Sequence, residues 1–149
     1  MEKKAESLFR KHTKRLVSKL GHHALTDQEI DFYCGTAFQR KWRGCYAQDE
    51  KFLIEPGYYI INNDVSTGPG EHWVGLVITP KTAYIYDSFA RDSKKLLKHL
   101  TKRLSGKKII KNADRTDKEQ KINQVICGHL SIAWLHVAHD LGIRAACKI

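Results

Sequence analysis

The apolar positions of the chain fall into segments of two different periods. From Glu2 to Leu20, the residues Leu8, Phe9, Leu16, Val17 and Leu20 stand at helical spacing among basic residues and Gly21 follows, which predicts an amphipathic helix with a glycine stop. Thr26-Asp27-Gln28-Glu29 offers an N-cap with an acidic first turn, predicting a short helix that runs toward Phe32. Tyr33 to Glu55 mixes aromatic, small and charged residues with Gly35 and Gly44, and reads as irregular structure or a substrate-facing loop. After Pro56-Gly57, the run Tyr58-Tyr59-Ile60-Ile61 reads as a buried strand, followed by a turn-rich loop from Asn62 to Gly70. His72 to Ile78 and Ala83 to Asp87 are strand-like runs joined around Pro80-Lys81, which predicts a hairpin. Ser93 to Ser105 places Leu96, Leu97, Leu100 and Leu104 on one helical face, with Asp92 as N-cap and Gly106 beyond the end. Lys107 to Lys111 predicts a short strand, Asn112 to Asn123 a polar loop, and Cys127 to Leu141 an apolar helix closed by Gly142. With no internal repeat, these elements predict one α+β domain over residues 1–149, in which residues 1–21 form a basic amphipathic helix.

The hairpin makes a statement about chemistry. A two-residue turn at Pro80-Lys81 sets Asp87 opposite Val74 and makes His72 its diagonal neighbour. Side chains alternate faces along a strand, so His72 and Asp87 emerge on one side, where a carboxylate can orient an imidazole. Trp73 and Tyr86 point to the other side, toward burial.

Cys127 opens the last apolar helix, where the helix dipole and a nearby imidazolium both favour a thiolate. His72 then has the properties of a base, Asp87 of its orienting group, and Gln120 or Gln124 of an amide donor that joins the Cys127 N–H around an oxyanion. Gly128 leaves room for close substrate approach. The four cysteines, Cys34, Cys45, Cys127 and Cys147, form no CxxC pair and no zinc-ligand spacing, so no metal is expected and reduced thiols in an intracellular setting are. Taken singly, each of these residues has an ordinary structural use, and it is their combination that points to nucleophilic catalysis.

Charge adds a possible partner. The net charge is +10, with eight Lys/Arg and no acidic residue from Lys94 to Lys111, and seven basic residues from Lys3 to Lys19. Such a field attracts polyanions, and Lys94, Lys95, Lys98, Lys102, Arg103, Lys107, Lys108 and Lys111 are the candidate contacts for non-specific DNA. No sequence-specific nucleic-acid motif, secretory signal or bilayer-length apolar run is present.

Gly70-Glu71-His72-Trp73-Val74, Tyr86-Asp87-Ser88-Phe89 and Gln120 to Gly128 together resemble the adenovirus-type maturation proteases and the related ubiquitin-like-protein proteases. These families place His-Trp at a strand start, an acidic residue at the end of the next strand, and Gln six or seven residues before a helix-leading Cys-Gly. That order is the reverse of the Cys-first papain arrangement. The resemblance covers Pro56 to Leu141, with Phe32 to Asp49 loosely similar to the substrate side, and its spacing selects Gln120 over Gln124.

The resemblance implies a papain-like variant fold in which a central mixed or antiparallel sheet packs against helices, with residues 56–142 as the catalytic core. It implies a thiol endopeptidase that cleaves viral structural precursors at Gly-Gly-X or Gly-X-Gly sites during virion maturation. The catalytic set would be His72, Asp87, Gln120 and Cys127, with Trp73, Gly128 and Asp49 toward the substrate. No cofactor is implied for the chemistry, although activation by DNA or by a disulfide-linked viral peptide belongs to the family. A monomer that touches no membrane and works in the host cell, its nucleus included, and in the virion is the accompanying expectation. Deconjugation of ubiquitin-like proteins and a non-catalytic basic nucleic-acid-binding module are the alternatives.

Overall fold

The computed structural model describes residues 2–64, 68, 72–89, 93–111 and 125–149. Five strands, β1 (Trp42–Ala47), β2 (Gly57–Asn62), β3 (Trp73–Ile78), β4 (Thr82–Tyr86) and β5 (Lys108–Lys111), form one sheet in chain order. The outer pairs β1/β2 and β4/β5 are parallel, and the two inner pairs are antiparallel. Among the described residues six α-helices accompany the sheet: α1 (Glu2–Leu20), α2 (Asp27–Phe38), α3 (Ser93–Leu96), α4 (Lys98–Arg103), α5 (Cys127–Leu141) and α6 (Ile143–Ala146). The class is therefore α+β, as the apolar pattern predicts, and the sheet is mixed.

Alternation along the strands sorts the core into two layers. Tyr58, Ile60, Val77 and Tyr86 join Phe9, Leu16, Ile30, Phe38, Trp134 and Val137 from α1, α2 and α5, while Tyr59, Ile61, Leu76 and Ile85 join Leu97, Leu100 and Leu104. The Trp134 ring lies over Tyr86 with centroids 5.6 Å apart, and its indole N–H donates to Ala146 O at 3.1 Å. A Cβ on Gly75 would come within 2.8 Å of that ring, so glycine is what lets α5 settle against β3. The β3–β4 ladder pairs Gly75 with Tyr86 and Leu76 with Ile85, the register that the two-residue turn predicts.

Three elements differ from their sequence patterns. α2 is not short: its Thr26–Glu29 capping box forms, and Ile30, Cys34 and Phe38 continue one buried edge past Phe32. β1 occupies part of the segment read as irregular, because a register slip between Trp42 and Gly44, with Gly44 at φ +137°, breaks its alternation. The helix expected over Ser93 to Ser105 is interrupted at Leu97, where φ and ψ are −123° and 46°. Buried Gln48 enters that break, donating from Nε2 to Leu96 O at 3.0 Å and accepting the His99 N–H at 3.1 Å. The leucine stripe survives because Leu97, Leu100 and Leu104 still face the sheet. Asp92, the expected N-cap, lies outside the described residues.

α1 is held to α5 by a part-buried polar cluster as well as by apolar packing. Arg15 Nη2 donates to His12 Nδ1 at 2.8 Å, which leaves His12 Nε2 to donate to Asp140 Oδ2 at 3.0 Å. The His12 ring stacks on His136 at 4.3 Å, and His136 Nε2 pairs with the Tyr33 hydroxyl at 2.7 Å. Burial, followed by the neighbouring His12 and Arg15 charges, pushes His136 down to about 4 from an ordinary 6.5, and burial also lowers His12. A histidine whose folded value is depressed contributes stability above its unfolded value, and that contribution disappears as pH falls from 6.5 toward 4. Urea midpoints are expected to fall over that window and to fall less for His136→Leu; equal slopes for both proteins would refute the assignment.

Candidate active site

The hairpin carries His72 immediately before β3 and Asp87 immediately after β4. His72 Nε2 lies 2.6 Å from Asp87 Oδ1, and both residues are buried, at 5% and 2% exposure. The Phe89 N–H donates to the same carboxylate oxygen at 3.1 Å, and the Phe89 ring lies 5.1 Å from the imidazole. Asn63 N–H donates to His72 O at 2.9 Å, carrying the β2–β3 pairing one residue beyond Trp73. With Nε2 given to Asp87, Nδ1 is the ring nitrogen left for Cys127, and the two side chains influence each other by hydrogen bonding.

Cys127 is the first residue of α5 and is 8% exposed. Burial is the strongest single influence on its thiol and acts upward. Hydrogen bonding to His72, the Trp73 backbone, the imidazole charge and the Gly128 backbone together outweigh it, so the thiol titrates below its ordinary value. For His72, burial again is the largest influence and acts downward, but Asp87 and Cys127 outweigh it and hold the imidazole above its ordinary value. The opposite shifts favour a thiolate beside an imidazolium. The other three thiols are all pushed up, first of all by burial: Cys34, Cys45 and Cys147. One cysteine of the four has a nucleophile's surroundings.

Gln120, and with it the alternative Gln124, lies outside the described residues. Trp73 is half-buried on the helix side, donating its indole N–H to Leu25 O at 2.9 Å and accepting at its own carbonyl from Ser131 Oγ at 3.2 Å. A Cβ on Gly128 would lie 3.1 Å from Leu25 Cδ1 and 3.4 Å from Trp73 Cδ1. Gly128 therefore serves the close packing of α5, where the sequence suggests room for substrate. Asp49 follows buried Gln48 in the turn after β1, at the His72 end of the sheet, since Gln48 N–H donates to Asn62 O at 3.0 Å. Leu25 and Ser131 are contacts that no sequence pattern singled out. Each becomes visible only once distant segments meet.

No protein-family model matches the chain, and no curated protein matches it. The chemistry of the chain's own residues is what bears on its activity.

The lysine-rich segment is divided in its uses. Lys94, Lys98, Lys102 and Lys107 line a groove with Thr101, Ser105 and Ile109, and exposed Lys95 and Lys108 belong to the same segment, as does half-buried Lys111. Arg103 instead donates to Glu50 O at 2.9 Å and to Phe52 O, with its guanidinium 4.9 Å from the Phe52 ring centroid. Lys107 Nζ donates to Thr79 O at 3.0 Å and Pro80 O at 2.9 Å, bracing the hairpin turn. The basic residues of α1 lie on the other layer, so the two clusters do not form one stripe. Among the described residues, no group of three or more His, Cys, Asp or Glu side chains can hold a metal, and no helix is long and apolar enough to cross a membrane.

Proposed function

We propose that this chain is a cysteine endopeptidase of the adenovirus-type and ubiquitin-like-protease kind, acting on structural precursor proteins at Gly-containing sites during particle assembly. The observation that carries the proposal is the buried His72–Asp87 hydrogen bond at 2.6 Å, together with opposite pKa shifts in His72 and Cys127. In the proposed reaction the Cys127 thiolate attacks the scissile carbonyl carbon, and the carbonyl electron pair moves to oxygen. Backbone N–H groups at the start of α5, with Gln120 as the side-chain donor, stabilise that oxyanion. The His72 imidazolium gives its proton to the leaving amine, and the C–N bond breaks to leave an acyl thioester on Cys127. Water then attacks the thioester, His72 takes up its proton, and the carboxylic acid departs as the thiolate is restored. Asp87 holds the ring orientation throughout and offsets the imidazolium charge.

Incubating the reduced chain with precursors containing Gly-Gly-X and Gly-X-Gly sites, with and without DNA, tests the proposal by mass spectrometry of the products. Cleavage C-terminal to a small residue is expected. Intact precursors under both conditions would end the endopeptidase proposal, and selective cleavage of folded ubiquitin-like fusions would redirect it to deconjugation.

A further inference from the structure

The connector between α1 and α2, residues 21–26, is tied to both elements that hold the thiol. Gly21 O accepts from His129 Nε2, at 2.8 Å, in the first turn of α5. Leu25 O accepts from the Trp73 indole at the start of β3, and the Leu25 side chain packs over Gly128, next to Cys127. Trp73 in turn reaches the residue after the nucleophile, since a Cβ on Gly128 would lie 3.4 Å from Trp73 Cδ1, and its carbonyl takes the Ser131 hydroxyl of α5 at 3.2 Å.

His129 makes the arrangement hard to read as packing alone. Its side chain is fully buried and, among the described residues, its Nδ1 has no hydrogen-bond partner and its one side-chain bond goes to the connector. An imidazole half-satisfied in this way costs desolvation energy that an apolar residue would avoid. Its Nε2–H is spent on fixing Gly21, whose φ of +91° also turns the chain out of α1.

We infer that residues 21–26 form a clamp that positions Cys127, with Trp73 and His129 as its two latches. The inference rests on the peptidase proposal, since it concerns the same thiol. The Trp73 latch holds the start of β3 against the first turn of α5, and the His129 latch holds the helix turn that presents the sulfur. Neither residue is assigned contact with the reacting carbonyl through its latch. A displacement of about 1 Å at such a site is enough to lose about a hundredfold in rate.

The test is the pH dependence of Cys127 alkylation by iodoacetamide in the full chain, followed by peptide mass spectrometry. Trp73→Phe and His129→Leu are each expected to raise the apparent thiol pKa by about one unit, slowing alkylation about tenfold on the acid side while leaving the alkaline plateau unchanged. His129→Gln keeps a donor near the Nε2 position and is expected to restore the wild-type curve. Titration of Cys127 as in wild type in both Trp73→Phe and His129→Leu would overturn the clamp. Protection of buried Cys34 reports folding in the same spectra, and if His129→Leu exposes it, Trp73→Phe and His129→Gln decide the question. A Cys127 that titrates as an ordinary thiol in the wild-type protein, and no differently in His72→Gln, would instead defeat the peptidase proposal itself.

Discussion

Cys127→Ser is expected to lower precursor cleavage by on the order of 10⁴-fold or more, with little change in thermal midpoint. The substitution exchanges one small group for another at the start of α5. The loss is chemical. Interactions strong enough to bring a thiol below its ordinary value still leave an alcohol far from ionised near neutral pH. His72 must then take its proton from a far weaker acid than a thiol, so the nucleophile is formed much less readily. Turnover above about 1% of wild type, measured by product chromatography, would place the nucleophile elsewhere.

The parts of this site that were legible in the sequence depend on short-range rules. His72 and Asp87 meet because a two-residue turn fixes register and alternation fixes the face, both of which are local properties. Cys127 was legible because an abrupt apolar onset marks a helix start. Long-range contacts overrode the local pattern elsewhere. The leucine stripe from Leu96 to Leu104 specifies an unbroken helix until the Gln48 amide enters its backbone, and nothing near Leu97 in the sequence announces that side chain. β1 was hidden by its own slip at Gly44, which destroys the alternation by which strands are read. Gly128 was read as room for substrate, and nothing in the sequence announces that Leu25, from a segment with no chemical signature, lies close beside it. The same distance in sequence hid the clamp. Net charge was legible too, but the use of each cation was not: Arg103 and Lys107 fit the pattern of a polyanion surface and are turned onto backbone carbonyls.

His72→Gln is expected to remove both cleavage and the distinctive reactivity of Cys127. Glutamine is the informative replacement because its amide can donate to Asp87 Oδ1 and so avoids leaving a buried carboxylate unpaired. With the imidazole gone, burial faces only the Trp73 and Gly128 backbone contributions, and the thiol moves upward. A rise of about two units slows alkylation about a hundredfold at a pH below both values. The pH profile changes shape as well. In the wild-type protein the thiol is lowered and the imidazole raised, so the two titrations are coupled and activity is bell-shaped between two apparent values that belong to the pair. In the variant the alkaline limb has no titrating imidazole behind it, and alkylation rises in a single step at higher pH. Retention of the wild-type acid limb by His72→Gln would mean that the helix start and backbone donors suffice to form the thiolate, and that His72 serves Asp87 rather than Cys127.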